Sequence, residues 1–280
     1  MESASYHLIA REAYDDRARL APYIVHVGDV EIGGERPVIM AGPCAVESRE
    51  QTLEIAKAVQ AAGADMLRGG AYKPRTSPYS FQGLGEKGLE ILAEARAETG
   101  LPIVTEVIDP RLVEQVGRYA DMLQIGSRSM QNFPLLVEVG QYGKPVLLKR
   151  GMAATLEEWL CAAEYIAHQG NLNIVLCERG VRTALSGNYD RFTLDLDVIR
   201  PTREATFLPV IVDPSHSTGS SRMVPSAARA ACAYGAQGLI IEVIGEHTDR
   251  TTIQCDGKQG IRPAVLEELI RDIRPEKIAA

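Results

Sequence analysis

The chain has 280 residues, of which 45% are hydrophobic and 24% charged, and its formal net charge at pH 7 is -7. These fractions are ordinary for a globular protein, and the excess of acid argues against general binding to nucleic acid or to a membrane surface. No apolar run approaches the roughly 20 residues that cross a bilayer, and the first residues lack a signal-peptide pattern. Five irregularly spaced cysteines without a C-x-x-C pair favour a reducing compartment, so we expect a cytoplasmic protein.

Residues 1–36 are predicted to form a short β extension ahead of the main fold. Tyr6–Ala10 has the composition of a short strand, and Ile24–Ile32 resembles two strands separated by Gly28 and Asp29. Gly33 and Gly34 then interrupt the pattern, which places the start of the main domain at residue 37.

From residue 37 to residue 280, short apolar runs alternate with amphipathic stretches. Continuous apolar runs of this length are typical of strands that are buried on both faces of a parallel sheet. Eight such runs are present: Pro37–Ala41, Asp65–Arg68, Pro102–Glu106, Asp121–Ile125, Pro145–Lys149, Asn173–Cys177, Leu208–Asp213 and Gly238–Glu242.

The stretches between these runs carry helix-start signals. Ser48 and Thr155 each begin a capping box, and Asp109 and Asn132 stand at N-cap positions close to a proline. Eight strands alternating with helices predict a (β/α)8 TIM barrel over residues 37–280. The rival architecture is a doubly wound open sheet, but the turn after the first run, at 41–44, lacks the G-x-G-x-x-G fingerprint of a dinucleotide-binding fold.

Cations accumulate where the predicted strands end. In a TIM barrel these ends meet at one face, where the active site lies. A single arginine there is often a solvated surface charge, but several together repel one another unless anions fill the space between them. The sequence therefore predicts a pocket for phosphate and carboxylate groups, formed by residues that include Arg68, Lys73, Arg75, Arg128, Lys149, Arg150, Arg179 and Arg182.

A second group of residues is suited to a divalent transition metal. Cys44, His216 and Glu242 follow or end the first, seventh and eighth runs, which are neighbours in a closed barrel. A thiolate, an imidazole and carboxylates form a mixed set of ligands that several metals tolerate. Asp256 is the candidate for the fourth ligand, with Asp249 as its competitor.

At these residues the chain resembles the 3-deoxy-D-arabino-heptulosonate 7-phosphate (DAHP) synthase family, in the short microbial (beta) subtype of type I. The resemblance extends from about Tyr6 to the C-terminus. The motifs that carry it are AGPCAVES at 41–48, LRGGAYKPRTSPYSFQG at 67–83, QNFPLL at 131–136, LLKRGMAAT at 147–155, LCERGVRT at 176–183 and VDPSHSTG at 212–219. The related 3-deoxy-octulosonate 8-phosphate synthases share the AGPC turn but differ in the KPRTSPYSFQG segment.

The resemblance implies a metal-dependent, aldol-type condensation of phosphoenolpyruvate with erythrose 4-phosphate and water, which is the first step of the shikimate pathway. It implies a site for Mn, Fe, Co or Zn at Cys44, His216, Glu242 and Asp256, and a sugar-phosphate site at Arg75 and Thr76. Phosphoenolpyruvate would be bound by Arg68, Lys73, Gly126, Ser127, Arg128, Lys149 and Arg179. The candidate catalytic residues are Lys73, Glu106, Lys149 and His216, and a homodimer or homotetramer is expected.

The chain departs from the family pattern in three places. Ala184–Phe192 differs from the segment expected after the CERG-x-RT motif, Ser127 and Ser129 stand where Ala and Asn are expected, and the stretch from Glu242 to Asp256 is longer, with Ile244 where histidine is common. These departures leave two alternatives: the same chemistry on another aldose phosphate such as a five-carbon sugar, or a catalytically silent binding partner. A third alternative is a Schiff-base aldolase, because Lys149 ends a predicted barrel strand, where amine nucleophiles occur. Because only some 36 residues precede the barrel, we also expect no inhibition of this chain by free Phe or Tyr.

Overall fold

The computed structural model describes residues 5–13, 22–187, 191–255 and 257–274. Asp256, a predicted metal ligand, lies outside the described residues. Within the described ranges, every helix is too short or too polar to traverse a bilayer.

An N-terminal arm, Tyr6–Ala10, precedes the hairpin, and the prediction that it forms a strand is wrong. Over Tyr6–Ala10 the chain forms only an isolated bridge, from Ala10 to Thr206. The backbone N–H groups of His7, Leu8 and Ile9 donate instead to the carboxylate of Glu164, at 2.8, 2.7 and 3.2 Å. The half-buried carboxylate of Glu164 therefore accepts the hydrogen bonds that a neighbouring strand would otherwise accept.

A β-hairpin follows the arm, as predicted. Its antiparallel strands are β1 (Val25–Val27) and β2 (Val30–Ile32). Gly28 in the turn has φ 58°, a left-handed conformation that favours glycine. The buried side chains of Val25, Val27 and Ile32 pack against residues inside the barrel, so the hairpin covers one end of it.

The predicted (β/α)8 barrel is confirmed. In the described part of the chain, eight parallel strands close on themselves, each within or close to one of the predicted runs. They are β3 (Val38–Gly42), β4 (Met66–Arg68), β5 (Ile103–Glu106), β6 (Met122–Ile125), β7 (Val146–Lys149), β8 (Ile174–Glu178), β9 (Val210–Val212) and β10 (Gly238–Glu242). The last strand pairs with the first over five residue positions, from Gly238 opposite Val38 to Glu242 opposite Gly42, which excludes the open-sheet alternative.

Helices surround the barrel and connect its strands. They are α1 (Arg49–Ala61), α2 (Glu86–Thr99), α3 (Val113–Tyr119), α4 (Phe133–Tyr142), α5 (Leu156–Ala167), α6 (Ile199–Ala205), α7 (Pro214–Thr218), α8 (Val224–Ala233) and α9 (Pro263–Ile273). The capping box predicted at Thr155 is present, with Glu158 as its reciprocal partner. At Ser48 only half of the predicted box forms: its side chain accepts from the N–H of Gln51, but the side-chain oxygen of Gln51 has no hydrogen-bond partner within the described residues.

Two apolar layers hold the barrel together. Strand residues that point inward, such as Met40, Met66 and Met122, form the inner layer with the hairpin. The opposite faces of the strands pack against the helices, with Trp159 of α5 fully buried among them. Burial of each large apolar side chain contributes roughly 1.5–3 kcal/mol, which gives the strand ends a rigid support. The division into an extension over residues 1–36 and a barrel over residues 37–280 stays a prediction.

Candidate active site

A polar cavity of about 250 Å³ opens at the carboxyl ends of the barrel strands. Among the described residues, its lining is rich in cations and contains a single carboxylate, that of Glu106. The cationic lining residues are Arg68, Lys73, Arg75, Arg128, Lys149, Arg179 and Arg191. The cavity therefore has the charge and the size for small molecules that carry phosphate or carboxylate groups.

Each of these side chains has its place because a strand ends beside it. Arg68 ends β4, Glu106 ends β5, Lys149 ends β7 and Arg179 follows β8. Gly126, Ser127 and Arg128 follow β6, and all three line the cavity. The guanidinium of Arg68 donates to the carbonyl of Pro43 at 2.7 Å, which fixes it against the turn after β3.

The loop after β4 forms one side of the cavity. Lys73, Arg75 and Thr76, all predicted site residues, line it together with Pro74. The backbone N–H of Lys73 donates to the carbonyl of Gln82 at 2.9 Å, which closes the base of the loop. Arg75 reaches Cys255 at 2.8 Å between Nη1 and Sγ.

The three predicted metal ligands within the described residues lie together beside this cavity. One ligand atom from each of Cys44, His216 and Glu242 lies within 4.8 Å of the others. The Nε2 atom of His216 is 3.9 Å from Cys44 Sγ and 3.7 Å from Glu242 Oε2. A thiol, an imidazole nitrogen and a carboxylate in this proximity fit the coordination preferences of a divalent transition metal.

Asp213 orients two site residues at once. Its Oδ2 atom lies 2.8 Å from Nδ1 of His216 and 2.5 Å from Nζ of Lys149, while Oδ1 accepts the backbone N–H of His216 at 2.9 Å. Burial by itself would raise the pKa of the Asp213 carboxyl, but His216 and Lys149 outweigh burial and hold this pKa well below its usual value. Because Asp213 binds Nδ1, the Nε2 atom is the one that His216 turns toward the ligand cluster.

The surroundings of Cys44 are themselves polar. Its Sγ atom lies 3.2 Å from Sγ of Cys255 and 3.3 Å from Nζ of Lys73. The hydrogen bond with Cys255, together with burial, raises the pKa of the Cys44 thiol above its ordinary value. Since a metal binds the thiolate, binding at this site would release a proton.

Glu106 is positioned by its neighbours on β6. Gln124 donates to Glu106 Oε2 at 3.2 Å. A Cβ atom on Gly126 would lie 2.0 Å from Glu106 Oε1, so only glycine leaves room for the carboxylate at this point.

Two of the predicted pocket cations, Arg150 and Arg182, do not line the cavity. Arg150 is buried and pairs with Glu178 at 3.1 Å and with Asp195 at 2.7 Å. Arg182 is exposed and borders a neighbouring depression. The residue pattern alone cannot distinguish a cation that faces a pocket from one that supports the strand beside it.

Some site residues were not predicted as such. Asp213 could have been found from its position three residues before His216, which is N-cap spacing on α7. Cys255, Arg191 and Phe192 lie in loops without periodic signals, and only the structure brings them to the cavity or to the ligand cluster.

Comparison with known proteins agrees with this architecture. The sequence profile described as the DAHP synthetase I family matches residues 13–274. Phospho-2-dehydro-3-deoxyheptonate aldolase from Thermotoga maritima is 47% identical over 269 residues, which cover 96% of this chain and 77% of that protein. A crystal structure of phospho-2-dehydro-3-deoxyheptonate aldolase (DAHP synthase) from Thermotoga maritima matches with a TM-score of 0.90 and 46% identity, covering 98% of this chain and 77% of that one.

Two further matches are a truncated structure and a relative with a different name. A truncated form of 3-deoxy-D-arabino-heptulosonate 7-phosphate synthase from Thermotoga maritima has a TM-score of 0.86 and 42% identity, covering 97% of this chain and 96% of that one. The 2-dehydro-3-deoxyphosphooctonate aldolase of Desulfatibacillum aliphaticivorans is 32% identical over 271 residues, which cover 90% of this chain and 96% of that protein. The profile match over nearly the whole length and the 47% identity lead to one conclusion: this chain belongs to the DAHP synthetase I family.

Proposed function

We propose that this chain condenses phosphoenolpyruvate with erythrose 4-phosphate and water to give DAHP and inorganic phosphate, the first reaction of the shikimate pathway. The observation that carries the proposal is the cation-lined cavity directly beside the Cys44, His216 and Glu242 cluster, in a member of this family. Both substrates carry two or three negative charges, and these charges repel each other when the substrates are close enough to react. A cation-lined cavity offsets this repulsion.

Phosphoenolpyruvate would occupy the inner part of the cavity. Arg68, Lys149 and Arg179 are buried there, and with Lys73, Arg128 and the backbone around Gly126 and Ser127 they would bind its phosphate and carboxylate. Arg75 and Thr76, on the loop after β4, would bind the phosphate of the sugar. Holding both substrates in one orientation removes much of the entropic barrier of a two-substrate reaction, up to about 7–11 kcal/mol.

A divalent metal would be held by Cys44, His216 and Glu242, with Asp256 as the proposed fourth ligand. When bound, the ion would supply Lewis-acid polarisation of the sugar aldehyde. The metal identity is open among Mn, Fe, Co and Zn, because all accept this mixed donor set.

The remaining chemistry belongs to the side chains of the cavity. C3 of phosphoenolpyruvate attacks the aldehyde carbon, and water adds at C2 before inorganic phosphate leaves. The lysines and arginines stabilise the charge that develops on the substrates during these steps. Lys73, Glu106, Lys149 and His216 are the candidate catalytic residues, and Lys73 and Glu106 are the candidates for moving the proton of the water.

The decisive experiment is phosphate release from phosphoenolpyruvate with a panel of aldose phosphates, before and after chelation. We expect release with erythrose 4-phosphate, its loss on chelation and its return when a divalent metal is added. Release that never depends on metal would contradict the proposed mechanism. Borohydride trapping of Lys149 with activity that survives chelation would support a Schiff-base aldolase instead.

A second candidate is the same chemistry on a five-carbon aldose phosphate. The 32% identity with a 2-dehydro-3-deoxyphosphooctonate aldolase favours including it. Preference for arabinose 5-phosphate over erythrose 4-phosphate in the same panel would establish this alternative, and absence of turnover with every sugar would favour a silent binding partner. The homodimeric or homotetrameric state and the cytoplasmic location stay predictions.

A further inference from the structure

Phe192 lies in the segment that departs from the family pattern, and the proposed reaction assigns it no role. Its ring lines the cavity, and the ring centroid lies 4.1 Å from Cζ of Arg179. The backbone N–H of Phe192 donates to the carbonyl of Ser217 at 2.8 Å. The backbone of Phe192 is therefore hydrogen-bonded to α7, the helix that carries His216, and its ring lies against the guanidinium of Arg179.

Apart from the Phe192 ring, the direct contacts of the Arg179 guanidinium are with backbone carbonyls, and the nearby charges of Asp213 and Glu178 act on it from a distance. Its guanidinium donates to the carbonyl oxygens of His216 and Gly180, at 3.2 and 3.4 Å. Within the described residues, no carboxylate lies within ion-pairing distance of it, whereas Lys149 is paired with Asp213. Arg179 is only 6% exposed, and burial lowers the pKa of its guanidinium.

The close approach of Phe192 to Arg179 depends on Gly180. A Cβ atom at this position would lie 2.7 Å from Cβ of Phe192 and 3.0 Å from Cβ of Ser217, and the φ of Gly180 is 94°. The glycine of the ERG sequence thus permits the segment around Phe192 to lie directly over the end of β8.

An aromatic face is a suitable support for a cation that must bind an anionic substrate. The negative potential of the ring face stabilises the buried charge, as it does in other cation–π contacts. Unlike a carboxylate, the ring does not compete with a substrate for the N–H groups of the guanidinium.

We propose that Phe192 is a positioning residue that holds the guanidinium of Arg179, by a cation–π contact, in the orientation that binds phosphoenolpyruvate. This inference rests on the proposed function, since it takes Arg179 as a ligand of that substrate. It predicts that the negative potential of the ring face, and not only the size of the ring, determines the affinity for phosphoenolpyruvate.

The test combines calorimetric binding of phosphoenolpyruvate with steady-state kinetics of phosphate release. For F192L we expect the dissociation constant and KM for phosphoenolpyruvate to rise about thirtyfold, the size expected for a desolvated cation–π contact. KM for the sugar phosphate should change less than about twofold, because Arg75 and Thr76 lie on another loop. F192Y should recover most of the lost affinity, since it keeps the ring.

Two further measurements separate the cation–π contact from simple packing. Fluorinated phenylalanines at position 192 keep the shape of the ring but weaken its negative face, so the affinity should fall stepwise with each added fluorine. F133L is the matched control, because Phe133 stacks with Tyr165 on the outer surface of α4 and α5. It should leave the affinity for phosphoenolpyruvate unchanged.

The outcomes are distinguishable. Wild-type affinity in F192L, or a fluorinated series without any trend, would overturn the role of Phe192. A wild-type protein that binds phosphoenolpyruvate but never releases phosphate would contradict the proposed function, and the calorimetric series would still decide the role of Phe192. Absence of phosphoenolpyruvate binding in the wild type would overturn both.

Discussion

His216 Nδ1 lies 2.8 Å from Oδ2 of Asp213. The carboxylate of Asp213 is fully buried and directly follows β9. This contact fixes which ring nitrogen of His216 faces Cys44 and Glu242. It also places a negative charge behind the imidazole, which would make His216 a better ligand for the proposed metal.

Replacing the Asp213 carboxylate should therefore weaken the site without removing any proposed ligand. For D213N we expect metal affinity or kcat to fall about 10- to 100-fold, the range typical of partners that orient a ligand. Metal titration of the chelated protein and initial-rate kinetics measure both effects. D109N, the same change at a surface helix cap, is the control, and equal losses in the two variants would contradict this role for Asp213.

The thiol of Cys44 should be needed for metal retention. In C44S we expect the metal bound per chain, measured by elemental analysis after dialysis, to drop well below that of the wild type. Phosphate release should fall on the order of a hundredfold, since Lewis-acid assistance contributes several kcal/mol. C232S changes a cysteine on α8, away from the cluster, and should retain metal; full metal content in C44S would count against the assigned site.

Gly126 should be required for the position of Glu106. In G126A the new methyl group would overlap Glu106 Oε1, so the carboxylate must move by about 1 Å or more. Displacement of this size in an active site can lower kcat/KM about a hundredfold. G34A, where the added methyl group meets only Ile24 Cδ1 at 3.8 Å, should keep wild-type kinetics. Wild-type kinetics in G126A would contradict the expectation that activity depends on the position of the Glu106 carboxylate seen here.

Arg150 should affect stability more than binding, because its partner Glu178 is fully buried. R150M leaves that carboxylate without a counter-charge, and we expect a loss of about 3–5 kcal/mol in the free energy of unfolding. Urea denaturation measures this loss. R200M removes an exposed i,i+4 pair with Glu204 and should change stability by less than about 1 kcal/mol.

The loss in R150M should also depend on pH. Burial raises the pKa of Glu178, and Arg150 opposes this rise. The pKa of Glu178 is already raised in the wild type, and loss of Arg150 raises it further. The folded variant therefore binds the proton still more tightly than the unfolded chain, so its stability should fall more steeply than that of the wild type as pH rises and should recover as pH drops toward 5. A loss that is constant with pH would indicate that Glu178 does not titrate in this way.

The strands could be predicted because each is a continuous apolar run bounded by polar or glycine residues. The run at Gly238–Glu242 coincides with β10 residue for residue. Tyr6–Ala10 has a similar composition, yet its backbone bonds to Glu164, a partner that lies far away in the sequence. Local composition indicates that a segment favours an extended conformation, but it does not indicate which group accepts the hydrogen bonds of that segment.

The candidate site was predictable to the extent that barrel geometry brings strand ends together. Lys149 and Arg150 are adjacent in sequence, and only the structure shows that the first faces the cavity while the second pairs with Glu178. Phe192 gave no signal in advance, because its contact with Arg179 depends on the path of a loop.

The pairing of β10 with β3 has a consequence for how the protein folds. Cys44 follows the first barrel strand and Glu242 ends the last, so these two proposed ligands come from opposite ends of the barrel sequence and meet only where β10 pairs with β3. A nascent chain that lacks the last strand could already assemble most of its anion-binding side chains, but it could not complete the ligand set. An ion that binds here would therefore stabilise the closed barrel relative to any folding intermediate in which β10 has not yet paired with β3.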